Sequence, residues 1–299
     1  MFKNVIVGVD GREGGRDAIA LATVLGGHGG TLTLAYIYPR EPRAWRATTP
    51  AGDAAERERV IGLLQEVQKE AGVGALPRAY GTMSVGRGLH ELAEEMGADL
   101  LVVGSSRRGL LDRVLVGDAT RAALDGAPCA MAIAPAGYSR QPVAMREIGV
   151  GYDGSPESEH ALGVARRLAE AHDSKLSALE AIFFPARLVT GPPFPDAATI
   201  NEMLAAARDR IAALGGVEPH AEYGEPAEQL ALYSDSLDLL VIGSRSYGPV
   251  GRLIHGSTAQ QLARSARCPL LVLTRAARKA DQHNGASASE RETAASAAR

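Results

Sequence analysis

The sequence predicts an α/β fold made twice over, as two tandem domains that each hold an open parallel sheet with helices on both faces. Three observations carry that prediction. Val5-Ile6-Val7-Gly8-Val9-Asp10-Gly11 returns as Ile148-Gly149-Val150-Gly151-Tyr152-Asp153-Gly154, and Asp99-Leu100-Leu101-Val102-Val103-Gly104-Ser105 returns as Asp238-Leu239-Leu240-Val241-Ile242-Gly243-Ser244. The offsets of 143 and 139 residues are whole-domain distances, longer than any solenoid unit. Apolar strand-like runs alternate with helical patterns, which implies crossover units and a parallel sheet. Runs such as Leu239-Leu240-Val241-Ile242 are apolar at every position, as a strand covered on both faces must be.

The first copy reads in order as a strand at Val5–Val9, a helix over Gly15–Leu25 and a strand at Thr31–Tyr38. A proline-bearing loop with Trp45 follows, then a helix at Asp53–Glu70, a strand at Leu76–Tyr80 and a helix at Gly88–Met96. The strand Leu100–Val103, a glycine-rich loop, a helix at Asp118–Leu124 and a last strand at Cys129–Ala134 complete it. The second copy opens its first helix more clearly. Ser155 is placed as N-cap, Pro156 as first helical residue and Glu157 in the first turn, and Leu162, Ala165, Leu168 and Ala169 form an apolar stripe. Gly11-Arg12-Glu13-Gly14-Gly15 has no such cap, so lower local stability is expected there.

Composition fits two domains, expected over 1–138 and 145–276, followed by a tail at 277–299 that lacks large apolar residues and is expected to be disordered. With 45% hydrophobic but only 4% aromatic residues, the cores must be built from Ala, Leu, Val and Ile. A net charge of -3 offers no basic field for nucleic acid or an acidic membrane surface, so neither partner is expected. The two cysteines, Cys129 and Cys268, each lie beside a proline ahead of an apolar run and read as buried, inert thiols. No signal segment opens the chain and no run reaches a membrane span, so a soluble cytoplasmic protein is expected.

After each fourth strand one glycine begins a loop, and another arrives thirteen residues later at a helix start: Gly104 with Gly117, and Gly243 with Gly256. Glycine admits close approach of an anion to the backbone, and a helix start presents unpaired N–H groups and a positive dipole end. Gly256-Ser257-Thr258 adds two hydroxyl donors, whereas Gly117-Asp118 puts a carboxylate in the same place, which would repel phosphate or call for a bridging cation. The same residues also serve as an ordinary turn and cap. Seven scattered histidines show no paired metal-ligand spacing.

Both copies resemble universal stress protein domains, whose nucleotide signature is G-x-x-G, nine residues, then G-[S/T] after a buried strand. Gly243-Ser244-Arg245-Ser246 with Gly256-Ser257 follows it except at Ser246; Gly104-Ser105-Ser106-Arg107 with Gly117-Asp118 departs at Arg107 and Asp118. The resemblance covers roughly residues 1 to 275. It implies a Rossmann-like five-stranded parallel sheet in each domain, with ATP at the carboxyl edge of strands one and four, with or without Mg2+. It would put Asp10 and Asp153 near the adenosine, Gly8 and Gly151 at points of close approach, and Ile37 and Ala181 against adenine. Gly104, Ser105, Gly117 and Asp118, with Gly243, Ser244, Ser246, Gly256, Ser257 and Thr258, would surround ribose and phosphates. It also implies that the last strands pair the two halves into an intramolecular pseudo-dimer, with a homodimer of whole chains as a further step.

Three function classes follow: an ATP-binding regulator of the stress response, tighter in its second domain; a nucleotide-independent scaffold; or a weak ATP hydrolase. The third is disfavoured, because the sequence holds no Walker loop, no paired acids at catalytic spacing and no Ser/His/Asp motif.

Overall fold

The computed structural model describes residues 1–39, 50–105, 122–140, 144–184, 195–244, 257–275 and 277. The first half runs β1 (Phe2–Gly8), α1 (Glu13–Leu25), β2 (Gly26–Pro39), α2 (Pro50–Ala71), β3 (Leu76–Thr82), α3 (Val85–Glu95), β4 (Leu100–Gly104) and β5 (Ala130–Ala134). The second runs β6 (Glu147–Gly151), α4 (Pro156–His172), β7 (Lys175–Ile182), α5 (Ala197–Ala212), β8 (Glu218–Tyr223), α6 (Pro226–Tyr233), β9 (Leu239–Gly243), α7 (Ser257–Ser265) and β10 (Leu270–Leu273). These form an α/β fold with parallel-sheet strands and covering helices, as the repeat and the alternating runs predict.

The strands lie in the order β3-β2-β1-β4-β5-β10-β9-β6-β7-β8. Within each half every pairing is parallel. The halves meet at β5 and β10, which run antiparallel with Leu270 opposite Ile133 and Val272 opposite Met131. The carboxyl edges of the two halves therefore face opposite ways.

Alternation along each strand feeds two core layers. Val5 and Val7 point to the face of α1 and α2 with Leu21 and Leu64, whereas Ile6 points to the face of α3 with Leu89 and Leu92. In the second half Val150 joins Leu168 and Ile211 on one face, and Leu240 joins Leu230 and Leu262 on the other. Both layers cross the junction, through Ala132 and Leu271 on one side and Met131 and Val272 on the other. Each fully buried leucine contributes about 1.5–3 kcal/mol, and Leu271 at the junction is among them.

Several boundaries differ from the sequence reading by a few residues, those of β2 and α3 among them. β2 begins at Gly26 rather than Thr31, because Gly26-Gly27-His28-Gly29-Gly30 cannot sustain the last turn of α1. The equivalent α4 continues to His172 and closes on Asp173 in the left-handed region at φ 54. α3 begins at Val85 rather than Gly88, with Ser84 in the cap position. The Trp45 loop, most of the helix expected at Asp118–Leu124, and the tail beyond residue 277 lie outside the described residues.

Candidate functional site

In each half the chain leaves the first strand toward one side of the sheet and reaches the fourth from the other. β1 therefore lies between β2 and β4, and β6 between β7 and β9. Such a switch point opens a crevice beyond the carboxyl ends of the two central strands, the usual ligand position in open α/β sheets. Because β5 and β10 are antiparallel, the two crevices lie on opposite edges.

The turn leaving the first strand is built the same way twice. An Asp10 carboxylate oxygen accepts from the Arg12 N–H at 3.0 Å, and Gly11 takes φ 74. An Asp153 oxygen accepts from the Ser155 N–H at 3.0 Å and from the Ser155 hydroxyl, and Gly154 takes φ 70. Both aspartates shape the turn with their own side chains, and both are exposed at the crevice mouth.

The glycines that end the fourth strands have a second cause. A Cβ on Gly104 would lie 1.9 Å from the Gly14 carbonyl oxygen, and one on Gly243 would lie 2.4 Å from that of Glu157. Both positions are taken by backbone at the first turn of α1 or α4. At Gly8 the same atom would make ordinary 3.4 Å contact with Val103, and at Gly151 a tighter 3.1 Å contact with Ile242. Space beside all four glycines is therefore protein interior.

Ser105 and Ser244 follow these glycines, and their N–H groups donate to Ala134 and Leu273 at 2.9 Å. Ser105 is 2% exposed, yet its hydroxyl has no hydrogen-bond partner. A buried hydroxyl left so costs about 1–3 kcal/mol, and among the described residues Ser105 is the predicted site residue with such an unpartnered side chain. In the second half α7 opens at Ser257 with Thr258 next, its N-terminus at the carboxyl edge of β9. Gly117, Asp118, Ser246 and Gly256 lie outside the described residues, as do Arg107 and Arg245.

Ile37 and Ala181 are equivalent, since Val9 donates to Ala35 and Tyr152 to Leu179, two residues before each. Their surroundings differ. Ile37 is buried against α3, where a Cβ on Gly88 would fall 2.8 Å from its Cγ2. Ala181 is half-buried and is followed by Ile182, Phe183 and Phe184.

Sequence reasoning missed the aromatic residues of this edge. Tyr152 is buried, and desolvation raises its phenol above the ordinary value. Phe183 and Tyr223 are 46% and 42% exposed, and the Phe184 and Tyr223 rings lie 6.3 Å apart. The signal was available, because three of the four phenylalanines, Phe183, Phe184 and Phe194, fall within twelve residues of an aromatic-poor chain. Both cysteines are buried, and desolvation pushes each thiol up to about 12. His90 contacts the Ala123 carbonyl at 2.7 Å. Among the described residues no group of three or more His, Cys, Asp or Glu is placed to hold a metal, and no helix is long and apolar enough to cross a membrane.

The model of the Universal stress protein family matches residues 1–135 and again 145–274. A universal stress protein of Mycobacterium tuberculosis is 25% identical over 278 residues, covering 86% of this chain and 90% of the relative. One from Thermus aquaticus is 34% identical over 130 residues, 41% of this chain and 93% of its own length. The crystal structure of a universal stress protein from Archaeoglobus fulgidus superimposes with a TM-score of 0.66 at 16% identity, covering 91% of this chain and 98% of that one.

Proposed function

Because the chain belongs to the universal stress protein family, we propose that it is a cytoplasmic, ATP-binding regulator of the stress response. Nucleotide is held at the carboxyl edge of each half-sheet, more securely in the second, and occupancy alters partner binding. The observation that carries this reading is the unpartnered Ser105 hydroxyl, 2% exposed at the end of β4 beside a switch-point crevice. The second site is favoured by Ser257 and Thr258, which open α7 where the first copy has Asp118-Ala119. Helix N–H groups and hydroxyls welcome a phosphate that the Asp118 carboxylate repels. The site residues act as read from the sequence, with Mg2+ as the bridging cation where an acid intrudes.

In this reading the domains extend over 1–138 and 145–276, and the halves act as an intramolecular pseudo-dimer. The antiparallel β5–β10 ladder and the bond from the Thr274 hydroxyl to the Cys129 carbonyl, at 3.1 Å, support it. A nucleotide-independent scaffold is the second reading, favoured by one observation: Gly104 and Gly243 are already demanded by helix packing.

Protein purified without added nucleotide, then denatured, releases adenine nucleotide if the regulator reading holds. Added ATP stabilises the fold by about 2.7 kcal/mol at a hundredfold excess over its dissociation constant. No released nucleotide, together with no shift in thermal midpoint, leaves the scaffold.

A further inference from the structure

The helix α7, which opens with Ser257 and Thr258, does not rest on its own half alone. β5 runs antiparallel to β10, so the amino end of β5 lies at the carboxyl edge of the second half, where α7 begins. There the Thr274 hydroxyl donates to the Cys129 carbonyl at 3.1 Å. The chain that leads into β5, helical at residues 122–124 with Asp125 next, comes up against α7 on this edge. Ala123, Ala127 and Cys129 of the first half share one core layer with Ala259, Leu262 and Ala263 of α7.

A polar contact also crosses this seam. The Gln260 side-chain amide donates to the Asp125 carboxylate at 2.7 Å. Gln260 is the fourth residue of α7, so the bond holds the opening turn, whose N–H groups have no partner within the helix. Those are the groups that an anion at a helix start uses. A ligand that needs the turn formed binds in proportion to the fraction of molecules in which it is formed. A carboxylate repels an anion, so what Asp125 gives such a seat comes from its hydrogen bond and not from its charge.

We propose that Asp125 is a positioning residue for the anion seat of the second half: through Gln260, the first half holds the opening turn of α7 in the form that the ligand requires. This rests on the nucleotide reading given above and adds to it that the second site is completed by the first half. One hydrogen bond to a carboxylate sets the size of the effect, about two- to tenfold in affinity.

Binding of ATP and of inorganic tripolyphosphate to the full chain is measured by calorimetry for the wild type, Gln260→Ala, Asp125→Ala, Asp125→Asn and the double variant of Asp125→Ala with Gln260→Ala. Hydrogen exchange of α7 is followed without ligand. Gln260→Ala weakens the tighter class of sites about two- to tenfold for both ligands, since the seat is disturbed and the base is not. Asp125→Asn keeps an acceptor oxygen, and Asp125→Ala, at the same charge, binds more weakly than it by a similar factor. The double variant is no weaker than Gln260→Ala. Amides in the first turn of α7 exchange faster in Gln260→Ala and at the wild-type rate in Asp125→Asn. Additive losses in the double variant overturn the proposal, because Gln260 then acts without Asp125. Unchanged affinity or unchanged exchange in Gln260→Ala also overturns it and leaves the nucleotide reading standing. If the wild type binds neither ligand, the nucleotide reading fails and the proposal with it. A lowered unliganded thermal midpoint in Gln260→Ala with affinity intact assigns the bond to fold stability alone.

Discussion

α1 and α4 occupy equivalent places in the two halves, yet they are fastened by different chemistry. On α1 the Asp17 carboxylate, 1% exposed, accepts from the Gly137 and Ser139 N–H groups at 2.8 Å and from the Ser139 hydroxyl at 2.7 Å. Arg140 adds an ion pair with Glu13. On α4 the corresponding tie to the segment after the last strand is Glu157, which accepts from Arg275 at 3.2 Å. The first half thus sets a buried carboxylate against backbone N–H groups of the connection toward β6, while the second sets a buried carboxylate against the partly exposed Arg275 side chain of its last segment. Duplication preserved the need for a clasp and left its residues free to change.

What both halves share should break both alike. Gly104→Ala drives a methyl group into the α1 backbone at a nominal 1.9 Å, and Gly243→Ala into α4 at 2.4 Å. Each should cost about 3 kcal/mol, the upper part of the overpacking range, measured by urea unfolding. Gly8→Ala, whose new atom meets Val103 at 3.4 Å, should change stability by less than about 1 kcal/mol. A tolerated Gly104→Ala would remove helix packing as the reason for that glycine and return the position to the ligand.

The clasps come next in size. Asp17→Ala leaves two backbone N–H groups without their acceptor, and should cost about 2–4 kcal/mol at roughly 1–3 kcal/mol for each unsatisfied buried group. Arg275→Ala takes one partner from the buried Glu157 carboxylate and should cost about 1–2 kcal/mol. Equal losses would mean that backbone donors and an arginine hold a buried carboxylate equally well.

A smaller contrast lies inside the core. Thr33 and Ser177 are equivalent, paired with Ile6 and Gly149. The Tyr233 hydroxyl donates to Ser177 at 2.5 Å, whereas the Thr33 hydroxyl is buried with no partner. The exchange is one of volume as well as polarity. A Cβ on Gly149 would fall 2.2 Å from Leu237 and 2.8 Å from Tyr233, so these two side chains fill the room that Ile6 occupies in the first half. Tyr233→Phe should therefore cost about 1–2 kcal/mol, and Thr33→Val should be neutral or stabilising by about 1 kcal/mol. Thermal midpoints of the two variants moving in the same direction would contradict this account.

These pairs show why some of the molecule could be read from its sequence and some could not. Inner strands such as β4 and β9 were visible because each is a short apolar run, and the parallel arrangement followed from the helical periods between the strands. The capped start of α4 was visible because Ser155, Pro156 and Glu157 are neighbours in the chain. Asp17 was not, since its donors lie 120 and 122 residues away. Gly104 was recognised, but its closest neighbour is the backbone of Gly14, and no local pattern announces such a contact. Local signals name the elements; long-range contacts decide what the special residues within them are for.

The smallest expected difference is at the helix starts. The Ser155 hydroxyl accepts from the Ser158 N–H at 3.2 Å, and Pro156 and Glu157 suit the first turn. Arg12 holds the same place on α1 with no side-chain cap, and its contact with Asp10, 3.9 Å between exposed groups, adds little. Ser155→Ala should cost about 1 kcal/mol, and Arg12→Ser should stabilise by about 0.5–1 kcal/mol. Hydrogen exchange sharpens the contrast, because an uncapped start opens more readily than a capped one. Amides in the first turn of α1 should exchange faster than those of α4, and Arg12→Ser should slow them toward the α4 rate. Equal exchange in the wild type would show that the Asp10 and Asp153 turns, which the halves share, already fix both helix starts and leave the cap residue nothing to add.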